Sequence, residues 1–208
     1  MLTLAITILA SLFSVVNPLG AIPMFLSLTA DDTPEERNRT SLLTSIYFVL
    51  ILMSFFWAGT YILGFFGVSI PALRGAGGLV IMMSGFALLS GDTSKRRIGD
   101  KVKAEAMEKE DISFTPMAMP LLSGPGSISL LIGYFSEYPD MNNKLIIASI
   151  IAVTGIIIYI VLRFSPLLFK ILGRSGLKAV ARIMGFIVLA IGLEYIVSGV
   201  IDLVKLYW

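Results

Sequence analysis

The sequence contains no cysteine and no histidine. The chain therefore forms no disulfide, holds no metal ion through thiolate or imidazole, and performs no catalysis with a Ser-His or Cys-His pair. Serines such as Ser123 and Ser127 have no histidine to activate them. We accordingly expect no metal site, no cofactor and no enzymatic activity.

Charged residues are also scarce. They make up 14% of the 208 residues, whereas soluble domains carry roughly 25%. The 16 basic and 14 acidic residues nearly cancel, which gives no reason to expect nucleic-acid binding. Hydrophobic residues reach 56%, and the mean hydropathy is +0.89. A soluble fold of this length cannot hide so much apolar surface, so we expect the lipid bilayer to solvate much of it.

Long apolar runs predict an all-α, polytopic membrane protein with six transmembrane helices. A helix that spans a bilayer needs about 20 mostly apolar residues and satisfies its backbone hydrogen bonds internally. Six stretches meet this requirement: 2–28, 40–66, 70–90, 115–135, 143–169 and 179–203.

Local motifs predict several helix ends. Thr33-Pro34-Glu35-Glu36 has the form of a capping box with proline at the first helical position, so we expect the second span to begin there. Thr115-Pro116 resembles the same device at the start of the fourth span. Gly91 and Gly173 are predicted to end the third and fifth spans.

The distribution of Lys and Arg predicts the orientation in a cell membrane. Twelve lie after spans one, three and five: Arg37, Arg39, Lys95, Arg96, Arg97, Lys101, Lys103, Lys109, Lys170, Arg174, Lys178 and Arg182. The opposite side has three, namely Arg74, Lys144 and Lys205. Because cytoplasmic loops are enriched in these residues, we expect both termini outside and the long central loop in the cytoplasm.

Two motifs recur at nearly constant offsets and indicate a duplication. Pro18 and Pro23 precede Pro120 and Pro125 by 102 residues. A second set recurs after 108 residues, where Arg74, Gly77, Ser90 and Gly91 match Arg182, Gly185, Ser198 and Gly199. We therefore divide the chain into a first three-helix repeat (1–91), a charged cytoplasmic connector (92–114) and a second three-helix repeat (115–208). Repeats with an odd number of spans enter the membrane from opposite sides, which is the inverted-repeat arrangement of many secondary transporters.

The proline motifs are predicted to break the first and fourth spans. Proline lacks an amide hydrogen and clashes with the preceding turn, so each break exposes carbonyls at one end and amides at the other. An inverted pair of breaks presents both kinds of end near one point, which suits a small zwitterion. The same residues are also compatible with kinks that serve only helix packing, because Pro and Gly are common in membrane helices.

Glu194 is the acidic residue that lies deep in a predicted span. Intramembrane acids are costly and often functional, so Glu194 is a candidate carrier of a coupling proton. It could instead pair with Arg163 or Arg182, or lie near the outer membrane interface.

The run from Asn17 to Thr29 closely resembles the first-span signature of the MarC family. Pro120 to Ser129 resembles the matching fourth-span signature, and Leu73 to Gly78 also fits the family. The family is also called the small neutral amino acid transporter family, after SnatA-like members. The resemblance implies transport of glycine, alanine and similar amino acids. It implies that substrate binds at Asn17, Pro18, Gly20, Ala21, Ser123, Gly124, Gly126 and Ser127.

The sequence thus predicts a secondary transporter of small neutral amino acids that works by alternating access, with a proton or sodium as the coupling ion. A channel-like protein or a membrane scaffold without transport is the alternative. An oligomer is compatible with either function.

Overall fold

The computed structural model describes residues 2–90 and 112–208, and both segments are almost entirely helical. The predicted connector, 92–114, lies mostly outside the described residues, as does Gly91. The helices, in chain order, are α1 (Leu2–Val16), α2 (Pro18–Leu28), α3 (Pro34–Phe65), α4 (Ile70–Leu89), α5 (Ser113–Leu122), α6 (Pro125–Glu137), α7 (Met141–Arg163) and α8 (Ser165–Tyr207).

The helices are long and apolar enough for a multi-pass membrane fold. Within residues 2–90 and 112–208, five helical stretches meet the length and hydropathy of a membrane span, with α1 and α2 counted together. The pair α5 and α6 is bent by 62° and gives a sixth span if it crosses as one unit. The structure therefore agrees with an all-α membrane protein of five or six spans.

The start of α3 follows the predicted capping box. The Thr33 hydroxyl accepts a hydrogen bond from the Glu36 amide at 3.3 Å, and the Thr33 amide donates to the Glu36 carboxylate at 2.8 Å. Pro34 occupies the first helical position, where its missing amide hydrogen costs nothing. The predicted capping box is therefore confirmed. The sequence could predict it because the motif acts within four consecutive residues.

Two other predicted helix ends are wrong. Thr115 does not cap a helix: it lies inside α5 with extended backbone angles, φ −123° and ψ 121°. Gly173 does not end the fifth span, because α7 ends at Arg163 and α8 begins two residues later. Gly173 lies instead within α8, where its φ of 61° produces a kink. The apolar sequence continues through the short break at Phe164 and conceals it.

A glycine seam joins α4 to α8. A Cβ built on Gly78 would lie 2.7 Å from the Gly192 carbonyl oxygen, and one on Gly192 would lie 2.8 Å from the Gly78 carbonyl oxygen. Gly85 and Gly185 face each other in the same way further along. Small residues let membrane helices approach closely and gain van der Waals contact. The residue numbers rise along one helix as they fall along the other, so α4 and α8 run antiparallel.

The main core lies between the other helices. It is formed by buried side chains from α1, α2, α3, α5, α6 and α7, the largest being Phe25, Phe48 and Phe56. The two-fold relation between residues 1–91 and 115–208 stays a prediction. The antiparallel contact of α4 with α8, the third spans of the two predicted repeats, is compatible with it.

Candidate functional site

Asn17 interrupts the first span. The helix α1 ends at Val16, α2 begins at Pro18, and Asn17 between them has left-handed backbone angles, φ 48° and ψ 62°. Asparagine tolerates this conformation better than most residues. Its side-chain Oδ1 accepts a hydrogen bond from the Gly20 amide at 3.2 Å and so caps α2. The side-chain amide of Asn17 also packs where a Cβ on Gly20 would lie, so this cap requires glycine there.

The carboxyl end of α1 exposes carbonyl groups. Asn17 donates its amide to the Phe13 carbonyl at 2.8 Å and completes the last regular hydrogen bond. The next helical bond would require an amide hydrogen from Pro18, which has none, so the Ser14 carbonyl has no helical partner. The carboxyl end of a helix is also the negative end of its dipole. This end of α1 therefore suits a cationic group.

The fourth span is irregular before it becomes the regular helix α6. Two hydrogen bonds of α5 reach back five residues, from the Ser123 amide to Ala118 at 2.8 Å and from the Met117 amide to Ile112 at 3.3 Å. The residues that precede Pro116 and Pro120 are extended, and both of these prolines follow cis peptide bonds.

The amino end of α6 has amides that no side chain in the described parts of the chain caps. Gly124 is the N-cap residue and Pro125 follows it, and no side chain within the described residues caps this end. The first amides of a helix have no intrahelical acceptor, so those of Gly126 and Ser127 point out of the helix end. The positive end of the helix dipole adds to their attraction for an anion. The Ser127 hydroxyl is occupied locally, since it donates to the Gly124 carbonyl at 2.9 Å.

A cavity of about 230 Å³ adjoins both helix ends. Its walls come from α1, α4, α5 and α6: Val15, Val80, Ser84, Pro120, Leu121, Leu122, Gly124, Pro125, Gly126 and Ser127. None of these lining residues is charged. The wall is tightly packed at Gly126, because a Cβ there would lie 3.0 Å from Ile81 Cγ1 and 3.6 Å from Val15 Cγ1.

The cavity brings together some of the residues that the sequence suggested. Gly124, Gly126 and Ser127 line it. The other five do not, and they are the residues Asn17, Pro18, Gly20, Ala21 and Ser123. Ser123 is fully buried, and its hydroxyl has no hydrogen-bond partner within residues 2–90 and 112–208. Substrate binding at all eight positions stays a prediction.

Three lining residues lie outside the two proline motifs from which the sequence suggested a site. Val15 precedes the first motif, and Val80 and Ser84 lie on α4. The Ser84 hydroxyl donates to the Val80 carbonyl at 3.0 Å, four residues earlier. In the sequence, Ser84 is marked only as a serine within an apolar span, one turn after Val80. The packing of α4 against α6 is what brings both residues to the cavity.

Glu194 does not line this cavity. It is exposed on α8 and borders a separate groove together with Ser198, Asp202 and Lys205. Neither Arg163 nor Arg182 forms an ion pair with it within the described parts of the chain. Arg163 instead donates to the Tyr159 hydroxyl at 2.7 Å. A role for Glu194 in coupling stays a prediction.

Arg74 ties three helices together at one end of the bundle. Its guanidinium forms ion pairs with Glu137 of α6 at 3.1 Å and with Asp202 of α8 at 3.2 Å. From the sequence, Arg74 was identified as a member of the repeat and as a basic residue on the non-cytoplasmic side. Its two partners are distant in the chain, so no local pattern points to them.

Comparison with known proteins identifies the family. Residues 2–204 match the family model described as MarC family integral membrane protein. The inner membrane protein MarC of Salmonella typhimurium is 34% identical over 209 residues, which cover 96% of this chain and 95% of that protein. The MarC proteins of Citrobacter koseri and Escherichia coli O1:K1 are 34% and 33% identical, with the same coverage of both chains. No solved structure matches the chain. The chain therefore belongs to the MarC family of integral membrane proteins.

Proposed function

We propose that this protein is a secondary transporter of small neutral amino acids such as glycine and alanine. One observation supports the proposal most directly. The 230 Å³ cavity borders the uncapped amino end of α6 and, through Val15, the carboxyl end of α1. The first residues of α6 and a residue in the last turn of α1 thus lie in the wall of one cavity.

This arrangement fits the main-chain groups of an amino acid. The substrate carboxylate would accept hydrogen bonds from the amides of Gly126 and Ser127, where the helix dipole favours an anion. The ammonium group would lie toward the last carbonyls of α1, near the Ser14 carbonyl that Pro18 leaves without a helical partner. Breaks of this kind hold substrates in transporters with discontinuous helices.

The cavity walls favour a substrate without net charge. No Asp, Glu, Lys or Arg is among the lining residues, so a charged side chain on the substrate would lose its hydration without gaining a partner. The apolar side chains of Val15, Val80, Leu121 and Leu122 occupy much of the wall. They favour a substrate with an apolar side chain over one with a polar side chain.

The remaining parts of the proposal concern how transport proceeds. The two predicted repeats would rock against each other around the cavity and expose it to either side in turn. A proton or sodium gradient would drive the cycle. Both termini would lie outside the inner membrane and the charged connector in the cytoplasm, as the distribution of basic residues favours.

Counterflow in proteoliposomes tests the proposal. Liposomes that contain the purified protein are loaded with unlabelled glycine and diluted into labelled glycine at low concentration. A transporter exchanges the two pools, so the label should accumulate transiently above its equilibrium level. A channel would bring the label to equilibrium without this excess, and a scaffold would give no flux above protein-free liposomes. Either result, with correctly folded protein, would contradict the proposal.

Imposed gradients then identify the coupling ion. The same proteoliposomes take up labelled glycine under a proton gradient alone or a sodium gradient alone, each with the other ion balanced. The coupling ion is the one whose gradient drives concentrative uptake. If neither gradient drives uptake while counterflow persists, the protein is an uncoupled exchanger, and the coupling part of the proposal is wrong.

A further inference from the structure

A shallow, open groove with both polar and apolar side chains runs along the face of α8 that points away from α4. Its volume is about 570 Å³, and all its lining residues belong to α8. They recur three and four positions apart, and among them are Glu194, Val197, Ser198, Ile201 and Lys205. The glycines of α8 that contact α4 lie on the opposite side of the helix. This groove, from Ala190 to Lys205, is called the α8 groove below.

The spacing of charged residues along α8 places Glu194 near the middle of this span. It follows Arg182 by twelve residues and precedes Lys205 by eleven, so it lies about 18 Å and about 16 Å along the helix from these charged residues. It is also about 12 Å along the helix from Asp202, which pairs with Arg74 near the end of the bundle. The hydrocarbon core of a bilayer is about 30 Å thick. The Glu194 carboxyl group is therefore at hydrocarbon depth.

An exposed carboxyl group at this depth requires a polar partner. Acidic residues within membranes almost always face protein or water and pair with another group, because lipid solvates them poorly. No hydrogen bond or ion pair reaches Glu194 from residues 2–90 or 112–208. Within those residues, the fold of a single copy thus leaves this exposed side chain without a hydrogen-bond or ion-pair partner.

We propose that the α8 groove is the contact surface between two copies of this chain. Two copies with the same orientation, related by an axis along the membrane normal, place their Glu194 side chains at the same depth. A protonated carboxyl group of one copy can then donate a hydrogen bond to the carboxyl group of the other. No other occupant guarantees a polar partner at that depth.

Spacing and charge along the groove support the same occupant. Residues three and four apart form the seam of paired helices that cross at a shallow angle. Asp202 and Lys205 have opposite charges and lie nearly one turn apart on this seam. In a symmetric pair, Lys205 of each copy can approach Asp202 of the other. The groove is therefore complementary to itself.

Disulfide cross-linking tests the dimer directly, because the chain has no cysteine of its own. Val197→Cys places one thiol in the α8 groove, and Leu50→Cys places one on the exposed face of α3. The native side chains are similarly exposed, at 48% and 57%. Each purified variant is reconstituted in liposomes at several lipid-to-protein ratios and oxidised. We expect Val197→Cys to form a disulfide dimer at every dilution and Leu50→Cys to form little.

The cross-linking results distinguish a second copy of the chain from other molecules that could bind the α8 groove. Equal cross-linking of the two variants, or a Val197→Cys dimer that disappears on dilution, would overturn the proposal. An adduct with a different protein in native membranes, without a dimer in the liposomes, would assign the groove to that protein instead. It would also overturn the proposal.

Substitution of Glu194 tests its part in the contact. In the Val197→Cys background, Glu194→Gln keeps hydrogen-bonding groups and should keep the dimer. Glu194→Leu removes them and is well tolerated by lipid, so the fold should persist. We expect it to lower the cross-linked fraction roughly fivefold, the size expected for one hydrogen bond between membrane helices. An unchanged fraction in Glu194→Leu would show that the carboxyl group does not hold the two copies together.

Discussion

Val15 in the last turn of α1 faces Gly126 in the first turn of α6. The Val15 Cγ1 atom lies 3.6 Å from the position that a Cβ on Gly126 would occupy. This contact joins the two interrupted spans at their broken ends and closes one side of the cavity. The last turn of α1 and the first turn of α6 thereby meet beside one uncharged cavity.

Val80 should limit the size of the substrate. Val80→Ala removes two methyl groups from the cavity wall and extends the space next to Ser84. We expect uptake of valine relative to glycine to rise roughly tenfold, since one or two methyl groups in an apolar pocket change selectivity by at least that factor. Competition of unlabelled amino acids with labelled glycine measures the change. Leu79→Ala, on the exposed face beside it, is the control and should leave the selectivity unaltered.

Asn17 should support transport by capping α2. Asn17→Asp keeps an oxygen that can accept from the Gly20 amide and removes only the Nδ2 donor, so we expect glycine transport to stay near the native rate. Asn17→Gly keeps the left-handed backbone but loses the cap, and we expect it to destabilise the protein by about 1 kcal/mol and to reduce transport. Thermal unfolding and uptake in proteoliposomes measure the two effects. A lower glycine affinity in Asn17→Asp at unchanged stability would show that the amide nitrogen contacts the substrate instead.

The glycine seam should tolerate no added methyl group. A Cβ on Gly192 would lie 2.7 Å from the Met82 amide nitrogen and 2.8 Å from the Gly78 carbonyl oxygen, and backbone atoms cannot move aside easily. We expect Gly192→Ala to destabilise the protein by about 1–3 kcal/mol, the usual cost of overpacking. Thermal unfolding in detergent measures it. Gly75→Ala is the matched control on α4, where a Cβ would meet nothing within 4 Å. Equal stability of the two variants would show that α4 and α8 separate easily.

Arg74 should stabilise the end of the bundle at which α4, α6 and α8 meet. Both acidic partners are partly exposed, so each ion pair should contribute no more than about 1 kcal/mol, and less at high salt. Arg74→Gln breaks both pairs, and we expect it to lower the Tm more than Glu137→Gln or Asp202→Asn alone. A single acidic substitution as harmful as Arg74→Gln would mean that only one pair contributes.

Local chemistry could be predicted from the sequence, whereas packing between distant helices could not. The capping box from Thr33 to Glu36 acts within one turn, so its residues alone predict the start of α3. The break at Phe164 could not be predicted in this way. The apolar pattern continues across it, so the predicted end of the fifth span was placed at the wrong residue.

The candidate site shows the same division. Gly124, Gly126 and Ser127 belong to a short motif at a helix start, and the structure places them in the cavity wall. Val80 and Ser84 reach the cavity only because α4 packs against α6, which no local pattern indicates. Asn17 does not line the cavity, because its side chain satisfies the Gly20 amide within its own helix.

Equilibrium binding to Gly126 variants is the most direct test of the cavity as the substrate site. Gly126→Leu would press a large side chain against Val15 and Ile81 at the cavity wall, whereas Gly64→Leu adds the same side chain on α3 where a Cβ meets nothing within 4 Å. The measurement is saturable binding of labelled glycine to each purified, monodisperse protein. We expect binding to the native protein and to Gly64→Leu, and none to Gly126→Leu. Undiminished binding to Gly126→Leu would place the substrate elsewhere and contradict the account.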